Sequence, residues 1–174
     1  LYLVLALVIL FALFVLYGTI TDYRPDEKTI LSENADAPIL TDSTFDFMIW
    51  NIGYCGLGHE MDFFYDGGEK VRSEEATVAS NLHHVLKYTS SLDTCDFFLF
   101  QEVDEKSKRS YRINQLDDLV SHLAGPHAAF GKNYDVFCVP MPLSSPYGRV
   151  LSGIATLGKT EPLSSVRHSF PGNY

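Results

Sequence analysis

Apolar and polar positions divide the chain into four kinds of stretch. Leu1 to Leu16 contains no charged residue and only Tyr2 with a polar group, and extension through Ile20 gives 20 residues. At 1.5 Å of rise per residue a helix of this length spans roughly 30 Å, about the thickness of one hydrocarbon core. The apolar core of a cleaved signal peptide is usually shorter, and no small-x-small site precedes Asp22, so the pattern predicts an uncleaved anchor over residues 1–20. Residues 21–43 are polar, carry Pro25 and Pro38, and show neither helical nor strand period; they read as a linker. Arg24 and Lys28 are offset by Asp22, Asp26 and Glu27, which gives positive-inside counting little to act on. The expectation is a single-pass membrane protein whose folded domain is extracytoplasmic.

From Thr44 onward the periods become regular. Asp46 to Gly53 is a short apolar run that ends in Asn51 and then in glycines, the pattern of a buried strand feeding a loop. That loop, Ile52 to Gly68, holds Gly53, Gly56, Gly58, Gly67 and Gly68 among aromatic residues and acids. Asp62 and Asp66 are there either as functional acids or as turn formers bonding their own backbone. Ser73 before Glu74 and Glu75 marks a helix start, and Val78, Leu82, Val85, Leu86 and Thr89 recur on one helical face. His83 and His84 are adjacent, about 100° apart around a helix, so they cannot both face one metal and read as surface residues.

A second apolar run, Asp96 to Val103, ends as the first does but delivers a carboxylate, Glu102. A helix follows with Ile113, Leu116, Leu119, Val120 and Leu123 on its face, closed by Gly125 and Pro126. Two strands are predicted at His127 to Lys132 and Asp135 to Val139, with a turn at Asn133 and Tyr134, and a third at Gly148 to Lys159. Strand, helix, strand, helix and then several strands give an α/β layered domain over residues 44–174.

Charge and cysteines narrow the chemistry. The 174 residues carry 13 Lys+Arg against 22 Asp+Glu, a net charge of -9, which opposes a long polyanion such as duplex DNA. Cys55, Cys95 and Cys138 are odd in number and lack metal-ligand spacing, so neither a zinc site nor a disulfide framework is implied. Asn51 and Glu102 at neighbouring strand ends offer hard oxygen ligands that suit Mg²⁺ or Ca²⁺. Lys106, Lys108, Arg109 and Arg112 lie just beyond Glu102, either to hold a substrate phosphate or as a solvated helix start.

Trp50-Asn51-Ile52, then Gln101-Glu102-Val103-Asp104, then a strand entered at Gly148 and ending Leu157-Gly158-Lys159 resemble the successive motifs of the endonuclease/exonuclease/phosphatase superfamily, with Gly158 in place of the usual Ser. The resemblance covers roughly Phe45 to Lys159. It implies a DNase I-like layered α/β sandwich, of which this chain carries the N-terminal portion and lacks the C-terminal one. It also implies a divalent-metal-dependent phosphoesterase with Mg²⁺, or Mn²⁺ or Ca²⁺, on Glu102, and with Asn51 orienting phosphate or metal-bound water. The family's Asp-paired His and its Asp-x-Asn strand end are not found after Lys159, and His168 reads as an exposed loop histidine. The parent is therefore expected to be a membrane-anchored phosphodiesterase, nuclease or phosphatase, and this chain an inactive fragment of it. The expected partners are the bilayer, through residues 1–20, and a phosphoester: a lipid headgroup, a small phosphoester or nucleic acid. The alternative is a non-catalytic, membrane-tethered interaction module on the same fold.

Overall fold

The computed structural model describes residues 1–41, 43–123 and 127–170. Three α-helices and two sheets are formed by these residues: α1 (Tyr2–Ile20), β1 (Lys28–Glu33), β2 (Phe47–Asn51), α2 (Glu75–Ser90), β3 (Phe97–Asp104), α3 (Gln115–His122), β4 (His127–Val139), β5 (Gly148–Gly158) and β6 (Ser164–His168). The class is mixed α/β, as the alternation of periods predicts. The main sheet has the order β2-β3-β5-β4, and a two-stranded sheet pairs β1 with β6.

β2 and β3 run parallel and are joined through α2, while β5 is antiparallel to both β3 and β4. A parallel pair needs a crossover, and α2 supplies it by burying the face read from its period: Val78, Leu82, Val85, Leu86 and Thr89. That face meets Phe98, Phe100, Val103, Ala155 and Leu157 of the sheet, with Leu119 of α3 completing the core. Thr89 satisfies its buried hydroxyl by donating to the carbonyls of Val85 and Leu86.

Three expectations change in detail. Residues 21–43 are not a featureless linker, because Lys28–Glu33 forms β1 and pairs with β6. The two strands predicted before and after the Asn133-Tyr134 step are one strand, β4, which absorbs Asn133 by a register shift instead of turning back. Ser73 does not cap α2: Glu74 holds the N-cap position without a side-chain bond, and the buried Ser73 hydroxyl donates instead to the Gly56 carbonyl. Asn114 does cap α3, its side chain accepting from the Asp117 amide. The expected stop at Gly125 and Pro126 lies outside the described residues.

β2 is also less buried than a strand covered on both faces. Met48 and Trp50 turn toward the helices, whereas Phe47 and Ile49 are 61% and 68% exposed on the other side. Ile49, Leu99, Thr156 and Ala129 pair successively across the sheet and make a row on that second face. β6 borders it at β4, where the Arg167 side chain donates to the Lys132 carbonyl.

Candidate functional site

Both residues singled out from the sequence sit at the carboxyl ends of the parallel strands β2 and β3, where loops of α/β sheets gather ligands. Asn51 pairs with Gln101, and its Nδ2 donates to Glu102 Oε1 at 2.8 Å. Its Oδ1 accepts from the Gly53 amide at 2.9 Å, which fixes the plane of the side-chain amide. With both ends of that amide engaged, Asn51 acts on Glu102 as an orienting group, and one amide hydrogen stays available to a second acceptor.

Glu102 points where it does because the strand is irregular. By the two-residue period of β3, the side chain after Phe98 and Phe100 on the core face is that of residue 102. The register slips between Phe100 and Val103, so Val103 takes the core position with no exposure and Glu102 swings to the sheet's end. Glu102 adopts φ +56, a left-handed conformation that a non-glycine residue holds at a cost on the order of 1 kcal/mol. The turn after Asn51 is left-handed as well, with positive φ at Gly53, Tyr54 and Cys55.

A buried network supports this corner. The Asp104 carboxylate has no exposure; it accepts from Arg109 Nε and Nη2, both at 2.9 Å, and from the Ser110 hydroxyl at 2.9 Å. Its amide donates to Gln115 Oε1, whose amide nitrogen in turn donates to the Tyr54 carbonyl at 2.7 Å. The Arg109 guanidinium lies 3.7 Å over the Tyr54 ring, and the Tyr147 hydroxyl donates to that of Tyr54. Burial acts against the Arg109 charge, but the Asp104 carboxylate outweighs it and keeps the guanidinium protonated above its ordinary range. Burial and the Tyr147 hydrogen bond push the Tyr54 phenol up, so it stays neutral.

Glu102 divides two depressions. One, about 430 Å³, is walled by Tyr54, Phe63, Tyr65, Tyr134 and Tyr147. The other, about 480 Å³, holds Asn51, Asn81 and His84. A cation on Glu102 would find an acidic oxygen oriented by Asn51 and room for water ligands, which Mg²⁺ retains in quantity. Among the described residues no three His, Cys, Asp or Glu side chains converge. The donors present fit a sparsely held, hydrated hard cation.

No family model, curated protein or solved structure matches the chain.

The other sequence candidates fall elsewhere. Asp62 accepts from the Glu69 amide and serves its own loop. His83 and His84 are exposed, as expected, although His84 opens on the depression that holds Asn51. His168 is exposed as read, but at the end of β6 opposite Lys28 and not in a loop. Of the basic group, Arg109 is buried and bound to Asp104, which withholds it from a phosphate, and Lys108 spends one of its three donors on the Pro146 carbonyl. Tyr54, Gln115 and Tyr147 carry no sequence signal as site residues; they meet Arg109 only because the left-handed turn brings the Tyr54 ring under its guanidinium.

The cysteines give a direct check on this packing. Burial, with the charge of Asp104 adding, pushes the Cys55 thiol up to about 12, leaving roughly one part in ten thousand as thiolate at pH 8. In the native protein a thiol reagent at that pH is expected to label half-buried Cys138 first and to spare Cys55 and Cys95 until denaturant is added, as read by peptide mass mapping.

Proposed function

We propose that the protein acts on phosphoesters with the help of a divalent cation, with Glu102 as the acidic ligand and Asn51 as the group that orients it and donates to a phosphate oxygen. The observation that carries the reading is the 2.8 Å bond between the two side chains across parallel strand ends, one of them on a strained bulge. Backbone strain at a solvent-facing carboxylate costs stability and is understandable where that carboxylate has a task. A bound Mg²⁺ would offset negative charge on the reacting phosphoryl group. Glu102 would hold the ion, and Asn51 would keep the carboxylate aimed and offer its free amide hydrogen. The superfamily resemblance supports the same reading and a two-layered sandwich, for which the uncovered face at Phe47, Ile49 and Leu99 provides a seat.

α1 is long and apolar enough to cross a membrane, a property it shares with signal sequences. The anchored, single-pass arrangement with the domain outside the cytoplasm belongs to the same proposal.

Turnover of bis(p-nitrophenyl) phosphate with Mg²⁺ tests the reading at two levels. A parent chain carrying an Asp-paired histidine is expected to hydrolyse it and to lose the activity with Glu102→Gln. The present 174 residues, with no such pair identified, are expected to bind without turnover. Mg²⁺-dependent hydrolysis by these residues that Glu102→Gln abolishes would overturn the second expectation and direct attention to His84. A parent that binds no cation and cleaves no phosphoester would leave the interaction module as the better account.

A further inference from the structure

The aqueous end of α1 does not stand clear of the domain. Tyr17, in its last turn, sets its ring edge-on to Phe137 of β4, with centroids 5.0 Å apart. Beyond the helix, Tyr23 lies under the Lys132 ammonium at 4.3 Å. Asp22 is near enough to Tyr134 to add to the upward push that burial gives its phenol. The outer edge of β4 is thus the part of the domain closest to the point where α1 would leave a membrane.

That edge is apolar where a solvated edge strand would be charged. Tyr134 and Phe137 are each 48% exposed, Met141 50% and Leu143 81%. Its ionic groups are all paired, with one cation in excess: Asp135 accepts from Lys132 at 2.8 Å and from Arg149 at 2.9 Å, and Arg24 is bonded to Asp22. Aromatic residues beside aliphatic ones, with the charged groups paired, match the headgroup and upper acyl region of a bilayer, where amphipathic rings settle. Tyr134 and Val139 of the same edge also line the cleft that Glu102 closes.

We propose that the edge formed by Tyr134, Phe137, Met141 and Leu143 seats on the bilayer that α1 enters and so holds the mouth of the Glu102 cleft at headgroup level. The proposal rests on α1 being a membrane span. It does not need an anionic surface, because this edge offers no unpaired cluster of bases.

Brominated-lipid quenching of tryptophan fluorescence tests it on the full chain in phosphatidylcholine vesicles. Trp50 lies on β2, at the opposite edge of the main sheet from β4, and serves as the internal control. In wild type, brominated acyl chains are expected to leave Trp50 emission nearly unchanged. In Leu143→Trp, the added emission is expected to be quenched severalfold more than that of Trp50, equally at low and high salt. Phe137→Trp provides a second reporter nearer the anchor. Added emission quenched no more than Trp50, in protein that stays with the vesicles after alkaline carbonate washing, would overturn the seating and leave the span intact. Protein that carbonate strips from the vesicles would overturn both. Quenching that requires anionic lipid and disappears in salt would replace apolar seating with electrostatic adsorption.

Discussion

Asp104→Ala is expected to cost about 3–5 kcal/mol of folding stability, the range seen when one partner of a buried ion pair is removed. The reason is what the substitution leaves behind. The Arg109 side chain is only 14% exposed, sandwiched near Tyr54 and Tyr147, and without Asp104 it would be a buried cation with two unmatched N–H donors. The Ser110 hydroxyl would lose its acceptor too. For a domain of this size the loss corresponds to a fall of roughly 10 °C in melting temperature. The double variant Asp104→Leu with Arg109→Met is expected to recover most of it, because replacing both charges by apolar groups of similar bulk leaves nothing unpaired. Urea denaturation of the three proteins checks both statements, and a loss below about 1 kcal/mol in Asp104→Ala would show that the pair is not buried as described.

The same network shows where sequence reading reaches its limit. The helical face from Val78 to Thr89 was legible because one period governs five positions, and burial follows the period. The Asn51–Glu102 pair was legible because two apolar runs each end in one polar group, and parallel neighbours bring their ends together. The bulge was not. A one-residue slip between Phe100 and Val103 follows from packing against β5, and no residue type at Gln101 or Glu102 marks it. Nor was β1 legible, since Lys28 to Glu33 pairs with a strand more than 130 positions away and has no period of its own. β2 read simply as a buried strand because apolar residues fill both its sides; only the fold tells which side the helices cover. The Tyr54–Arg109 stack depends on positive φ at Tyr54 and Cys55, which glycine-rich loops permit but do not specify.

Glu102→Gly separates the strain at the site from its chemistry. Glycine occupies φ +56 without penalty, so the variant is expected to be as stable as wild type or up to ~1 kcal/mol more so. It loses the hydrogen bond from Asn51, but that bond lies in an exposed setting, where such contacts contribute little. Cation binding is expected to fall at least tenfold, because the carboxylate that Asn51 orients is gone. A higher urea midpoint together with weaker binding would mark Glu102 as a residue kept for its charge at the expense of stability. A drop in stability above ~1 kcal/mol would instead make the carboxylate a structural group, and the bulge a consequence of packing alone.

The central claim is that Glu102, aimed by Asn51, holds a divalent cation. Mn²⁺ titration followed by electron paramagnetic resonance measures it directly on the full chain, with Mg²⁺ as competitor. Wild type is expected to take up one Mn²⁺ that Mg²⁺ displaces, Asn51→Ala to bind it about tenfold more weakly as an orienting group does, and Glu102→Gln to lose it. Mn²⁺ bound equally well by wild type and Glu102→Gln would contradict the claim.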